Sequence, residues 1–198
     1  RNLGIGADGL ILINECESQA FEMVYYNSDG KISTMCGNGG RCAMHYSFQN
    51  GISDKKSKFL ACDGMHFGDV SDNFVRISLK DVDSYKLIND DIFIDTGSPH
   101  LVKIIKDVSS INILEISRNI QKLEDFKPDG VNVNYVSVIN DDTIQLRTYE
   151  RGVEDETLSC GTGAVAAALS FSIVSKYNLK KVSVKTPGGD LFIEFKNH

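Results

Sequence analysis

The sequence predicts an α+β protein built as two related halves. Two observations carry this reading. Short β-like runs dominate the 198-residue chain and outnumber its helical stretches. A Cys-Gly-x-Gly motif also occurs twice, as Cys36-Gly37-Asn38-Gly39 and as Cys160-Gly161-Thr162-Gly163. Each copy follows β-like sequence and opens a helix of small residues, which makes a weak internal repeat. The boundary is expected near residues 81–85, where the sequence turns polar after a strand. That division gives a half at 1–83 and a half at 84–198.

The β-like runs lie at 10–13, 21–26, 75–79, 92–95, 135–139, 144–149, 182–185 and 191–195. Turn signals bound them: Asp29-Gly30, Asn140-Asp141-Asp142 and Pro187-Gly188-Gly189. The second of these predicts a hairpin. Three helices stand out. Residues 37–49 form a short, fairly polar helix with a Gly-rich start. Residues 113–123 carry Ile113, Ile116, Ile120 and Leu123 at near-helical spacing, the pattern of a surface amphipathic helix. Residues 161–176 are apolar on nearly every side, so this helix should be buried all round.

Composition narrows the function. Hydrophobic content of 41% and charged content of 24% are those of a globular protein. A net charge of −6 argues against general nucleic-acid binding, which needs a concentrated basic surface. The dense basic stretch Lys55-Lys56-Ser57-Lys58 reads as a solvated turn. No apolar run approaches the roughly 18 residues that span a bilayer, and no signal peptide is visible. Five unevenly spaced cysteines suggest thiols in a reducing cytoplasm rather than a disulfide scaffold. They show no paired Cys-x-x-Cys spacing, so no metal site is expected. The chain opens on Arg1 rather than Met, as a fragment would.

Most cysteines act as small core hydrophobes, and Cys16, Cys42 and Cys62 take that reading. Cys36 and Cys160 differ because each immediately precedes a glycine-rich helix start. A helix N-terminus carries about half a positive charge, which favours a thiolate. Its exposed N–H groups also bind carboxylates. Two such sites facing each other would supply a base, an acid and two anion clamps. That set suits inversion at an α-carbon: a thiolate removes the proton on one face, and a thiol returns one on the other. Helix-end amides would stabilise the carbanion's carboxylate, with no cofactor required in principle.

The residues around both cysteines extend the pattern. Thr34-Met35-Cys36-Gly37-Asn38-Gly39-Gly40-Arg41-Cys42 resembles the first signature of the diaminopimelate epimerases, and Glu150-Arg151-Gly152-Val153 running to Thr157-Leu158-Ser159-Cys160-Gly161-Thr162-Gly163 resembles the second. Gly4-Ile5-Gly6-Ala7-Asp8-Gly9, Tyr26-Asn27-Ser28-Asp29-Gly30 and Thr186-Pro187-Gly188-Gly189-Asp190 agree with them. The resemblance implies two pseudo-symmetric halves, each a barrel-like, mainly antiparallel sheet around a central helix. It implies interconversion of LL- and meso-2,6-diaminopimelate on the route to lysine and peptidoglycan precursor, without cofactor or metal. Cys36 and Cys160 then take the acid and base roles, with His100 supporting the first and Glu150 the second. Asn27, Gly37, Asn38, Asn132, Glu150, Arg151, Gly161 and Thr162 match substrate-binding positions. The family's opening strand, with a substrate-binding asparagine, and its closing segment are expected to lie outside this chain. Ser98 stands where the family usually places another asparagine.

Other readings remain beside this one. Proline racemases look similar around both cysteines but carry histidine at the position of Asn38. An inactive or incomplete domain of the same fold is a further alternative. A cysteine hydrolase would leave one of the two Cys-Gly sites unexplained. The literal fingerprint Gly4-x-Gly6-x-x-Gly9, with Asp29 beyond it, is followed by a strand and not by the helix that dinucleotide binding requires. Without the resemblance, His45, His66, His100 and His198 are surface or satisfied core histidines, Asn27 and Asn132 are turn residues, and Arg151 is a solvated charge. The expected partner is a small-molecule substrate, with no nucleic acid and no membrane. A homodimer is compatible with the sequence.

Overall fold

A computed structural model of the chain describes residues 6, 7, 9–27, 30–175, 177 and 179–196. Gly4, Asp8, Ser28, Asp29 and His198, singled out above, lie outside the described residues. The chain divides into two compact units, Arg1–Lys80 and Asp81–His198.

The first unit contains β1 (Gly9–Asn14), β2 (Phe21–Asn27), α1 (Gly37–Gln49), β3 (Lys56–Ala61), β4 (Gly64–Val70) and β5 (Val75–Ile77). They form one sheet in the order β1-β2-β3-β4-β5. Only β2 and β3 pair in parallel; the other neighbours are antiparallel. Parallel strands need a crossover, and α1 supplies it. Alternation along β2 and β4 sends Phe21, Met23, His66, Gly68 and Val70 inward. There Met35, Ala43, Met44, Phe59 and Ala61 complete the core. Gly68 is dictated by proximity, because a Cβ at that position would lie 2.5 Å from Met44 Sδ.

The second unit contains β6 (Tyr85–Ile88), β7 (Asp91–Asp95), β8 (Pro99–Ile104), α2 (Ile113–Ile120), β9 (Asn132–Asn140), β10 (Thr143–Glu150), β11 (Asp155–Thr157), α3 (Gly161–Val174), β12 (Lys181–Thr186) and β13 (Gly189–Glu194). Its sheet runs β13-β12-β10-β9-β8-β7-β6, with β11 paired to β10. The hairpin at Asn140-Asp141-Asp142 is present, joining β9 and β10. Here α3 is the crossover between the parallel strands β10 and β12, as α1 is between β2 and β3. The helix touches β7, β8, β9, β10, β12 and β13, which requires the sheet to curl around it. Its alanines make that approach feasible: Ala164, Ala166, Ala167 and Ala168 pack directly on Ile94, Val136, Leu146 and Val184. The opposite sheet face carries a second core of Leu101, Val133, Tyr135 and Tyr149, covered by Ile113 of α2 and by Phe126. The architecture is therefore α+β, with mixed sheets and few helices.

Several local expectations need correction. Lys56 and Lys58 are not in a turn but open β3, pointing outward while Phe59 is buried. Periodicity predicts no strand at β3, β4, β6, β8 or β11, and all five are present. The last turn of α3 is exposed at Ile173 and Val174, so burial all round ends at Phe171. Cys42 and Cys62 are exposed and Cys16 is half-buried, so none of the three is core. Cys42 lies off the buried face of α1, Cys62 lies in the tight turn between β3 and β4, and Cys16 follows the end of β1.

Phe59 stacks on Phe21 at 5.0 Å and on His66 at 5.3 Å, and its side chain is fully buried. Replacing Phe59 by Ala should cost about 3–5 kcal/mol of stability. Urea unfolding followed by circular dichroism measures this loss.

Candidate active site

Cys36 is the N-cap of α1, and its sulfur accepts the Gly39 N–H at 3.3 Å. Cys160 is the N-cap of α3, and its sulfur accepts the Gly163 N–H at 3.4 Å. Both residues have extended backbone, as a cap requires. The two sulfurs therefore occupy equivalent places, each at the start of its unit's crossover helix. An amide donor and the helix dipole both favour a thiolate there over a thiol.

In the first unit, Gly37 is buried in the first turn of α1, while Asn38 is half-buried and accepts from Arg41 Nη2 at 2.6 Å. Burial lowers the pKa of Arg41, whereas the neighbouring Cys42 and Cys36 thiols raise it. Asn27 ends β2, where its backbone closes a turn by donating to Lys31 O and accepting from Gly30; the residue is exposed.

In the second unit, Gly161 and Thr162 are buried in the first turn of α3. Thr162 Oγ1 lies 3.5 Å from Cys160 Sγ and 3.1 Å from His100 Nε2. His100 sits on β8 and is 0% exposed. Burial, reinforced by the Arg151 charge, lowers its pKa to about 3. It is therefore a neutral imidazole at physiological pH.

Asn132 opens β9 and is buried there, not placed in a turn. Its amide donates to Ser98 Oγ at 2.8 Å and Pro99 O at 3.0 Å, and accepts from the Arg151 N–H at 2.9 Å. Ser98 is thus tied to Asn132 at the position where an asparagine was expected. Glu150 is half-buried at the end of β10, and Arg151 follows in the next turn. Arg151 is half-buried as a residue, and its Nη1 donates to Asp129 O at 3.1 Å in an exposed bond. Glu154 stabilises that turn, accepting from the Gly152 N–H and from the Tyr149 hydroxyl.

The second unit thus brings His100, Thr162 and Cys160 into one bonded series, and joins Asn132 to Ser98 and Arg151. Arg41, Asn134 and Thr148 were not singled out from the sequence. Arg41 could have been found from its place inside the first signature. Asn134 gives a weaker signal, an Asn-Val-Asn alternation beginning at Asn132. Among the described residues, no group of three or more His, Cys, Asp or Glu could hold a metal ion. Nor is any helix among them long and apolar enough to cross a membrane.

Comparison with known proteins places this geometry in context. The profile of the family described as diaminopimelate epimerase matches residues 1–67 and 92–198. The chain is 40% identical over 196 residues to the diaminopimelate epimerase of Flavobacterium psychrophilum, covering 98% of this chain and 77% of that protein. It is 39% identical to the Aquifex aeolicus protein of the same name, covering 97% and 74%. Among solved structures, the PhzF-family phenazine biosynthesis protein of Bacillus anthracis superposes with a TM-score of 0.75 at 12% identity, covering 95% of this chain and 76% of that one. A hydroxyproline epimerase from Agrobacterium vitis gives 0.66 at 12% identity, covering 96% and 68%. At such identities these two speak for the fold alone.

The neutral state of His100 has a measurable consequence. Its pKa is about 3 in the folded chain and about 6.5 when unfolded, so below the latter the unfolded chain binds the extra proton. Stability should therefore rise with pH across that window and be complete above it. Between pH 6.5 and 5 the expected slope from this group approaches roughly 1.4 kcal/mol per pH unit. Urea unfolding at several pH values tests this, and His100→Asn should flatten the slope.

Proposed function

The chain belongs to the diaminopimelate epimerase family, and from that premise we propose that it interconverts LL- and meso-2,6-diaminopimelate by a two-cysteine proton exchange. The observation that carries the proposal is the pair of N-cap sulfurs, each accepting a glycine N–H at the start of an equivalent crossover helix. In one direction a thiolate takes the α-proton and becomes a thiol. The electron pair left on the α-carbon delocalises into the substrate carboxylate. The other thiol then returns a proton on the opposite face and becomes a thiolate. The protons balance, stereochemistry inverts, and the roles of Cys36 and Cys160 are exchanged for the reverse reaction.

The helix-end amides at Gly37 and Asn38, and at Gly161 and Thr162, are suited to the developing negative charge. His100, expected beside Cys36, is bonded instead through Thr162 to Cys160 and supports that thiol; Glu150 serves as a further supporting group. Arg151 has five N–H donors in principle, of which Asp129 O takes one, so a carboxylate of the substrate fits its remaining fork. Asn27 and Asn132 complete the polar set, Asn132 by holding Ser98 and the Arg151 backbone in place. The mechanism needs both thiols reduced, which supports a cytoplasmic setting in the synthesis of lysine and peptidoglycan precursor.

Cys36→Ala and Cys160→Ala should each lower epimerisation by at least about 10²- to 10⁴-fold, since either change removes one face of the exchange. Cys→Ser at either position should restore little. Full activity in one Ala variant would exclude the two-thiol mechanism.

Substrate choice gives a second test. The helix-end amides of the two units and the remaining fork of Arg151 are more donors than a simple α-amino acid satisfies, and donors left unpaired on burial cost roughly 1–3 kcal/mol each. α-Proton exchange in deuterated water should therefore proceed with LL-diaminopimelate and not with lysine or proline. Comparable exchange on proline would assign the chain to a proline racemase-like activity. Exchange on none of the three, with folded chain, would point to an inactive domain.

A further inference from the structure

Behind Cys160 lies a series of buried polar groups on three adjacent strands. Thr148 on β10, Asn134 on β9 and His100 on β8 are all essentially inaccessible to solvent. Thr148 Oγ1 donates to Asn134 Oδ1 at 3.0 Å. Asn134 Nδ2 lies 2.9 Å from His100 Nδ1. His100 Nε2 lies 3.1 Å from Thr162 Oγ1, and that oxygen lies 3.5 Å from Cys160 Sγ. Apart from the Thr162–Cys160 contact, these bonds lie outside the helix cap.

The direction of each bond follows from the surroundings of Asn134. Its Nδ2 faces Leu101 O at 3.4 Å and Asn132 O at 3.5 Å, both pure acceptors, while its Oδ1 faces a hydroxyl. Turning the amide over would set oxygen against two carbonyl oxygens. Nδ2 is therefore the group that faces His100, and it can only donate. His100 Nδ1 must accept, which leaves the imidazole proton on Nε2, where it donates to Thr162 Oγ1. The hydroxyl oxygen is thereby used as an acceptor, which leaves its own hydrogen to donate, and Cys160 Sγ lies within reach at 3.5 Å. Packing holds the arrangement, because a Cβ at Gly163 would lie 2.5 Å from Asn134 Oδ1. Only glycine there lets the start of α3 come this close to β9.

We propose that Asn134, held by Thr148, locks His100 in its Nε2–H tautomer so that Thr162 presents its hydroxyl hydrogen to Cys160 Sγ and stabilises the thiolate. Thr162 touches the reacting sulfur; His100, Asn134 and Thr148 are positioning residues that act through it. The neutral state of His100 fits, since a doubly protonated ring would meet the Asn134 N–H donor head-on. The assignment of work to Cys160 rests on the epimerase reading above, but the bonded series can be measured apart from activity.

The test uses the full chain labelled with ¹³Cβ-cysteine and ¹⁵N-histidine and observed by NMR. The resonances are assigned by their loss in Cys160→Ser and His100→Gln. The wild-type His100 ring should show its proton on Nε2, and finding it on Nδ1 would overturn the proposal without any variant. Thr162→Val should raise the Cys160 thiol titration midpoint by about one to two pH units, the worth of one hydrogen bond to a charged acceptor. Thr162→Ser should restore it, while the Cys36 titration should stay in place throughout. Asn134→Asp should draw the ring proton to Nδ1 and raise the Cys160 midpoint as Thr162→Val does. An unmoved Cys160 midpoint in folded Thr162→Val would refute the role of the hydroxyl. An absence of epimerase activity with these spectra intact would refute the functional reading and leave the series standing.

Discussion

A thiol at the N-cap of a helix that its own sheet curls around is the constraint on which the rest of this structure depends. To cap, the sulfur must reach the amide three residues on, and both Gly39 and Gly163 offer that N–H. To be wrapped by strands, the helix must carry small residues on the faces that meet them. In α3 this is met by Ala164, Ala166, Ala167 and Ala168, which share one core with Ile94, Val136, Leu146 and Val184. The same choice delivers two results: a tightly packed crossover helix and a sulfur set against unshared amide donors. The crossover itself follows from parallel pairing, since β2 with β3 and β10 with β12 cannot be joined by a tight turn.

The two units surround equivalent sulfurs differently. Cys36 has Arg41 for a neighbour, a cation whose own partner is Asn38 on the same helix. That arrangement is local and depends on charge. Cys160 is more deeply buried, at 8% exposed, where a nearby charge would be costly to desolvate. Its neighbour is instead a neutral hydroxyl backed by a neutral imidazole and an amide. Neutral dipoles stabilise a thiolate without adding another ion to a dry interior. Related halves thus reach similar ends by means suited to their burial.

How much of this was legible in the sequence varies with the range of the interaction. The runs at 21–26, 92–95 and 144–149 were readable because their apolar residues face a core. The run at Lys56–Ala61 was hidden by lysines that occupy only its outward positions. Pro99–Ile104 was hidden by a starting proline and by His100, a polar residue in an inward place. Asn132 suggested a turn, and Asn134 no role at all, since buried asparagine in a strand makes sense only when partners are supplied by neighbouring strands. The core assignment of Cys42 and Cys62 failed for a related reason: burial depends on which face of an element meets the sheet.

The sequence by itself determined the N-cap thiols, the helix starts and the family. These depend on contacts within three residues, such as Gly163 N to Cys160 Sγ, and on signatures contiguous along the chain. Tertiary structure alone decided what stands behind Cys160. His100 is 62 positions from Thr162 and 34 from Asn134. Strand register brings these groups together, with His100 paired beside Asn132 and Thr148 beside Asn134. A hydrogen bond is specific to tenths of an ångström and a few tens of degrees. Residue identity states that a donor exists, but only the packed sheet sets the direction in which it points.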